Sequence, residues 1–187
     1  MALDALALDT LALNTLASHE PAPDYVICPE TPASHKRILE LTDRAFGPGR
    51  FVKTAERLRE DSAPIADLSF VAMQGERVLG SVRMWPVFVY DNDTNHYEPL
   101  VFLGPIVVDS AFRSQGIGKK LIAAAVEGAF RKGLRAVLLV GSQAYFTPFG
   151  FNKAHNMSMP GPVDPNRVLI RYCEDGLSFR GRVCKVI

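Results

Sequence analysis

The stretch VVDSAFRSQGIGKKLI, residues 107–122, constrains the fold most, because it joins an apolar strand to an amphipathic helix through a short glycine-containing loop. The first amides of a helix have no partner within it, so the N–H groups of residues 114–118 are expected to point toward one spot. The helix dipole favours an anion at that spot. Gly116 and Gly118 lack the Cβ atoms that would hold a phosphate away. The stretch therefore predicts an anion site within an α/β fold.

Two common types of phosphate-binding loop do not fit this stretch. A P-loop needs glycine where Arg113 stands, and Ser or Thr where Lys120 follows Lys119. A dinucleotide-binding loop needs a third glycine, but that position is Leu121. What remains is RxxGxG, formed by Arg113, Gly116 and Gly118, and a plain strand-to-helix turn stays the alternative.

Hydrophobic periodicity and turn residues predict a layered α/β domain with a mixed, mostly antiparallel sheet of about seven strands flanked by helices. A two-residue turn at Gly75 and Glu76 predicts a hairpin, and Pro86 predicts a bend or an edge in its second strand. A polar loop is expected at 91–98. The predicted strands are 24–30, 68–74, 77–90, 99–109, 135–140, 167–174 and 181–187, and the predicted helices are 32–46, 50–61 and 113–133.

The first 23 residues differ from the rest of the chain. LDALA, LDTLA and LNTLA follow one another at residues 3–17, and no Lys or Arg precedes Lys36, which argues against a targeting leader. We interpret residues 1–23 as a leucine-rich extension and linker, either loosely attached or docking on a partner subunit, so a homodimer is possible. Residues 24–187 then form one domain.

Composition argues against several classes of protein. A net charge of +1 with mixed signs offers no basic surface for nucleic acid. The longest apolar runs fall short of the roughly 18 residues that span a membrane. Three cysteines without CxxC or metal-type spacing indicate reduced thiols, a cytoplasmic protein and no metal.

Several motifs in order carry a resemblance to a known family. RSQGIGKKLI, preceded by LGPIVVD and followed by RAVLLVG and YFTPFGF, resembles the GNAT superfamily of N-acetyltransferases, and its YhbS-like branch in particular. The similarity extends over residues 24–187. It implies a GNAT-like fold with acetyl-CoA as co-substrate. The implied activity is N-acetyl transfer to an amine of unknown identity, on a small molecule or a protein, by direct attack in a ternary complex.

The resemblance also implies where coenzyme A lies. Its pyrophosphate is expected on the RxxGxG loop, and its pantetheine beside the preceding strand where that strand splays from 135–140. A strand amide near Ile106 is expected to hold the thioester oxygen. The implied cofactor-binding residues are Ile106, Val107, Val108, Arg113, Ser114, Gln115, Gly116, Ile117, Gly118 and Lys119.

The catalytic residues depart from the family pattern. The usual acid is a tyrosine four residues before the Gly-Phe pair, and that position is Phe146. Tyr145 is the remaining candidate acid, with Ser142 as a candidate assistant and simple packing as the alternative. Glu98, beside His96 in a polar loop, is a candidate base acting through a water chain, although loop polarity alone also explains both residues.

Three arginines, Arg50, Arg57 and Arg59, surround the early helices that line the acceptor pocket in this family, and they are candidates to bind an acidic group. Solvated helix arginines are the alternative. The alternative function is a catalytically weak acyl-CoA sensor on the same fold, because Phe146 cannot donate a proton. A nucleotide-binding protein unrelated to CoA is a third interpretation.

Overall fold

The structure is a computed structural model that describes residues 25–47 and 54–186. The expected extension at 1–23 lies outside these residues. Nine strands are present: β1 Val26–Pro29, β2 Phe70–Gln74, β3 Arg77–Asp91, β4 His96–Val108, β5 Ala136–Val140, β6 Asn152–Lys153, β7 Met157–Ser158, β8 Val168–Tyr172 and β9 Gly181–Lys185. The α-helices are α1 Pro32–Phe46, α2 Thr54–Arg57, α3 Ile117–Arg131 and α4 Gln143–Phe146.

The strands form one mixed sheet whose main order is β1-β2-β3-β4-β5-β8-β6. Neighbours in this order are antiparallel except β4 and β5, which are parallel. The two remaining strands extend the sheet beside β3, since β9 pairs with β3 and β7 pairs with β9. The predicted mixed, mostly antiparallel sheet of about seven strands is therefore confirmed.

The hairpin of β2 and β3 turns at residues 75–76 as predicted, and β3 then changes neighbours along its length. Its first part, Arg77 to Val82, pairs with β2, and Val87 to Tyr90 pair with β9. Pro86 lies in the gap between these two pairings. Because proline cannot donate a ladder hydrogen bond, this is a position where a long strand tolerates it.

The polar loop expected at 91–98 is wrong, because pairing of β3 with β4 continues to Asp91 opposite His96. Only residues 92–95 form the turn. Tyr90 and Tyr97 stack across the strands with ring centroids 4.7 Å apart, and such cross-strand aromatic pairs stabilise a hairpin. His96 and Glu98 are therefore strand residues.

Two predicted helices are shorter than expected. The one at 50–61 is helical over α2 alone in the described residues, and the chain then turns. The predicted helix at 113–133 begins only at Ile117, because Ser110–Phe112 forms a separate turn and Ser114 and Gly116 have left-handed φ values of 68° and 77°. These backbone conformations interrupt helical geometry before residue 117.

The core lies on both faces of the sheet. One face packs against α3 through a cluster that includes Leu79, Val82, Leu121 and Ile122. The opposite face contains Trp85, Phe102 and Leu138, and α1 packs near it on Val71, Val78 and Val107. Among the described helices, none is long and apolar enough to cross a membrane.

Candidate active site

The site begins where β4 and β5 separate. In the described chain these strands pair only at Val101 with Val137 and at Phe102 with Leu138. Past this point the register of β4 against β3 shifts, at a bulge that contains Gly104 with φ 136° and a cis bond to Pro105. The indole Nε1 of Trp85 donates a 2.6 Å hydrogen bond to the carbonyl oxygen of Gly104. The bulge therefore turns the end of β4 away from β5.

A cavity of about 530 Å³ fills the opening between the two strands. Its inner wall is largely apolar and comes from the splayed strand ends and α4, namely Phe102, Leu103, Gly104, Pro105, Ile106, Leu139, Val140 and Phe146. Its outer wall carries charged groups from α2 and from the segment before β8, namely Glu56, Arg59, Asp164 and Arg167. The cavity thus joins an apolar inner end to a polar outer end, as ligand pockets commonly do.

The RxxGxG loop connects β4 to α3. The first helical hydrogen bond runs from the Lys120 N–H to the Gly116 carbonyl, at 3.1 Å, so the amides of residues 117–119 have no partner in a preceding turn. Ile117 is buried in the core, whereas Gly116 and Gly118 are half-buried. The side chains of Arg113, Ser114, Gln115 and Lys119 are exposed. The loop therefore presents amides and cations outward around a fixed hydrophobic anchor.

Asp109 holds the start of this loop. One carboxylate oxygen accepts a 3.0 Å hydrogen bond from the Ala111 N–H, and the other accepts one of 3.0 Å from Arg77. The Ala111 amide, and then the Arg77 guanidinium, lower the pKa of Asp109 below its ordinary value. The Arg77 guanidinium also lies 4.7 Å from the ring centroid of Phe112. These contacts fix the turn that precedes the open amides.

Tyr145 lies over the loop. A methyl group added at Gly118 would come within 3.0 Å of the Tyr145 hydroxyl oxygen and 3.7 Å of Val108. The tyrosine ring packs edge-on against Phe146, with centroids 4.9 Å apart, and leans on Phe149. Partial burial raises the pKa of Tyr145 above its ordinary value. The structure thus brings Tyr145, Gly118 and the end of β4 together.

Phe146, not Tyr145, lines the cavity. Its ring is 8% exposed, packs against Phe151 with centroids 5.8 Å apart, and occupies the space that a side chain at Gly141 would need. The position where the resemblance led us to expect the acid therefore faces the cavity with a ring that holds no transferable proton.

Glu98 is far from the loop. Its carboxylate accepts a 3.2 Å hydrogen bond from Arg135 and lies 3.6 Å from the ring of His96. It lies near the opposite end of β4 from Ile106, about 25 Å away at roughly 3.3 Å per strand residue. The structure does not bring Glu98 together with Tyr145 or the loop, and this placement argues against the expected role as base.

The early arginines take different positions. Arg57 donates to the Pro160 carbonyl at 2.9 Å and lies outside the cavity lining, whereas Arg59 lines the cavity and pairs with Glu56 at 3.1 Å. Arg50 lies outside the described residues. Sequence reasoning missed Glu56, Asp164 and Arg167. The acid-to-arginine spacing of three residues, in Glu56/Arg59 and again in Asp164/Arg167, is the one signal that could have suggested them.

The chain is similar in sequence to known proteins. The family model described as the Acetyltransferase (GNAT) family matches residues 35–151. The uncharacterized N-acetyltransferase YhbS of Escherichia coli K12 is 31% identical over 153 residues, which cover 80% of this chain and 88% of YhbS.

Solved structures show the same fold. The crystal structure of Escherichia coli YhbS in complex with CoA superposes with a TM-score of 0.71 and 25% identity, over 87% of this chain and 89% of YhbS. A GNAT family acetyltransferase from Brucella melitensis, solved in complex with acetyl-CoA, superposes with a TM-score of 0.64 and 24% identity, over 87% of this chain and 96% of that one.

Proposed function

Because the chain belongs to the GNAT family of acetyltransferases, we propose that it moves an acetyl group from acetyl-CoA to an amine by direct attack in a ternary complex. One observation carries the proposal: the open amides of residues 117–119 lie at the end of β4, beside the cavity where β4 and β5 separate. The CoA-bound state of Escherichia coli YhbS, which shares this fold, supports CoA as the ligand.

The loop is suited to hold the pyrophosphate of CoA. Amides at a helix N-terminus donate to phosphate oxygens, and the helix dipole adds attraction. Arg113 and Lys119 are exposed beside these amides and supply positive charge, while Ser114 and Gln115 add polar side chains. Gly116 has no neighbour within 4 Å of an added methyl group, so its surface is open to a ligand.

The end of β4 is suited to bind the pantetheine arm. Ile106, Val107 and Val108 pair on one side with β3, opposite Val82, Ser81 and Gly80. On the other side, β5 has already diverged within the described chain. Backbone groups along this edge need partners, and an extended ligand with two amides can pair with them as an added strand does.

The chemistry follows from this arrangement. The amine nitrogen attacks the thioester carbonyl carbon, and the backbone amide near Ile106 donates to the carbonyl oxygen as negative charge develops on it. The C–N bond forms, the C–S bond breaks, the new amide loses its extra proton to solvent, and the leaving thiolate takes one proton. Holding both reactants beside each other supplies much of the rate, about 7–11 kcal/mol in well-oriented systems.

Tyr145 is the proposed proton donor to the thiolate. Its hydroxyl lies beside Gly118 and Val108, and Val108 is two strand residues, about 7 Å, from Ile106. We propose that the proton crosses this gap through one or two waters. Burial raises the pKa of Tyr145, which keeps the phenol protonated at neutral pH.

The proposal is tested by incubating the purified protein with acetyl-CoA and a panel of amines, and measuring the release of free thiol. Turnover that depends on the amine supports it. Acetyl-CoA binding without turnover on amino acids, polyamines or peptides contradicts it.

A second candidate function is a catalytically weak acyl-CoA sensor, which the placement of Phe146 at the cavity wall favours. The sensor predicts a thermal shift with acetyl-CoA and no thiol release. Absence of any CoA-dependent thermal shift contradicts both functions, and competition by ATP or NAD would indicate a nucleotide site instead.

A further inference from the structure

We infer that the acceptor is a small amine that also carries an acidic group, such as a free amino acid, and that Arg167 binds that acidic group. This inference rests on the proposed acetyl transfer and names its substrate class. It follows from the volume of the cavity and from which of its described charged side chains already have partners.

A bridge of hydrogen bonds joins two parts of the wall at the outer end of the cavity. The Thr54 hydroxyl donates to the Pro162 carbonyl, and the Arg57 guanidinium donates to the Pro160 carbonyl at 2.9 Å. Gly161 packs so closely that an added methyl group would lie 2.7 Å from the Arg57 guanidinium. Thr54, Pro162 and Val163 all line the cavity. Helix α2 and the 160–163 segment are therefore joined directly at the cavity wall.

The volume of the cavity suits a small acceptor. The cavity measures about 530 Å³, and the thioester end of the co-substrate must share it with the acceptor. Pockets of several hundred cubic ångströms accommodate small molecules, so the volume left beside the thioester matches a small amine.

Most of the described charged side chains at the outer end already have partners. Glu56 and Arg59 pair with each other at 3.1 Å, and their side chains are 19% and 12% exposed. The Arg59 guanidinium also lies over Phe102, 5.4 Å from the ring centroid. The Asp164 carboxylate accepts hydrogen bonds from the backbone and side chain of Asn166, at 2.9 Å and 3.2 Å. Of the four charged side chains that line the cavity in the described residues, three thus have assigned partners.

Arg167 is the fourth. In the part of the chain that the structure describes, its guanidinium makes no ion pair or side-chain hydrogen bond. Its backbone is fixed, because the Arg167 carbonyl accepts a 2.8 Å hydrogen bond from the Gly141 N–H at the end of β5. A guanidinium anchored at the cavity wall recognises carboxylate or phosphate through paired N–H donors.

The geometry also revises which arginines bind an acidic group. Arg57 donates to the Pro160 carbonyl and lies outside the cavity lining, and Arg59 is paired with Glu56, so we do not assign the acidic group of the acceptor to either of them. With its acidic group on Arg167, an acceptor enclosed in the same cavity directs its amine inward, toward Ile106 and the thioester.

The test compares free amino acids with their carboxamides as acceptors, using wild type, Arg167→Gln and Arg167→Lys. We expect wild type to prefer the acids. Arg167→Gln should raise KM for the acids several-fold, since a charged hydrogen bond is lost at an exposed side chain, and leave KM for the amides and for acetyl-CoA unchanged. Arg167→Lys should recover part of the loss. Arg131→Gln, on the exposed end of α3, is the matched control.

A binding measurement tests the role of Arg167 without requiring catalytic turnover. Calorimetric titration of the CoA-loaded protein with N-acetyl amino acids and with their amides should show tighter binding of the acids, and Arg167→Gln should abolish the difference. Equal binding of acids and amides overturns the inference whether or not the protein is active. Efficient acetylation of polyamines in preference to amino acids also overturns it, but leaves the proposed transfer intact. CoA binding without transfer to any amine contradicts the proposed function instead.

Discussion

The hydroxyl oxygen of Tyr145 occupies the space beside Gly118, where a methyl group would come within 3.0 Å of it. Residues 27 positions apart in sequence are thereby joined at the start of α3, next to the end of β4. The aromatic turn after β5 is therefore part of the RxxGxG loop environment, and not a separate hydrophobic plug.

Gly118→Ala should weaken CoA binding several-fold without unfolding the protein. Tyr145 is 47% exposed, so its side chain can move away from the added methyl group, and alanine favours a helix over glycine by about 1 kcal/mol. Calorimetry with CoA and a thermal melt measure the two effects. Tyr145→Ala, combined with Gly118→Ala, should restore part of the affinity. A loss of affinity that is equal in both backgrounds would show that the contact is irrelevant.

Tyr145→Phe should lower kcat by about 100-fold or more, the usual contribution of a general acid, while KM for acetyl-CoA changes little. Phe146→Tyr places a hydroxyl on the cavity wall and should raise the rate of the Tyr145→Phe variant. Steady-state thiol release measures both. If Tyr145→Phe retains full activity and Phe146→Tyr alone is faster than wild type, Tyr145 is a packing residue.

The pH dependence of kcat is an independent test of Tyr145 as the proton donor. A proton donor loses activity as the pH rises through its pKa, and burial raises the pKa of Tyr145 above its ordinary value of about 10. Tyr145 should therefore not limit kcat up to pH of about 10. A decline with an apparent pKa well below 10 that disappears in Tyr145→Phe would contradict this expectation.

Gly116→Glu should abolish measurable CoA binding, because it places a negative charge at the proposed pyrophosphate site. Gly116→Ala introduces the backbone strain of a side chain at this position without the negative charge, so it separates the two effects. Its methyl group meets nothing within 4 Å, but φ is 77°, so the cost is about 1 kcal/mol of stability. Thermal shift with CoA and calorimetry distinguish the two variants. Unchanged affinity in Gly116→Glu would locate the anion site elsewhere.

Asp109→Asn should reduce the acid sensitivity of folding. The Ala111 amide and Arg77 lower the pKa of the folded Asp109, so its stabilising effect is present above the unfolded value of about 3.9 and is lost as the pH falls through the folded value. Asparagine retains an acceptor for Ala111 but does not titrate. Melting temperatures between pH 2 and 6 measure this difference. Asp175→Asn, at an exposed position, is the control, and an identical pH response in wild type and Asp109→Asn would refute the linkage.

Sequence by itself determined the strand, loop and helix that contain Arg113 to Gly118, because these features depend on local rules. Apolar runs identified the buried strands, and helical spacing identified the buried face of α3. Gly116 and Gly118 marked the place where a phosphate can come close to the backbone. The order of the elements, together with the motifs, also led to the correct family and sheet. The turn at 91–98 was misjudged because polar side chains on an exposed hairpin resemble a loop until cross-strand aromatic pairing is known.

Only the tertiary structure decided which side chains share the cavity. Register on β4 places Glu98 near the end opposite Ile106, and a bulge at Gly104 opens the gap that Phe146 faces. Among the described residues that line the cavity, the pairing of Glu56 with Arg59 and the hydrogen bonds of Asp164 leave Arg167 as the charged side chain without an assigned partner. These relationships join residues distant in sequence. They depend on strand register and side-chain packing, which local patterns do not encode.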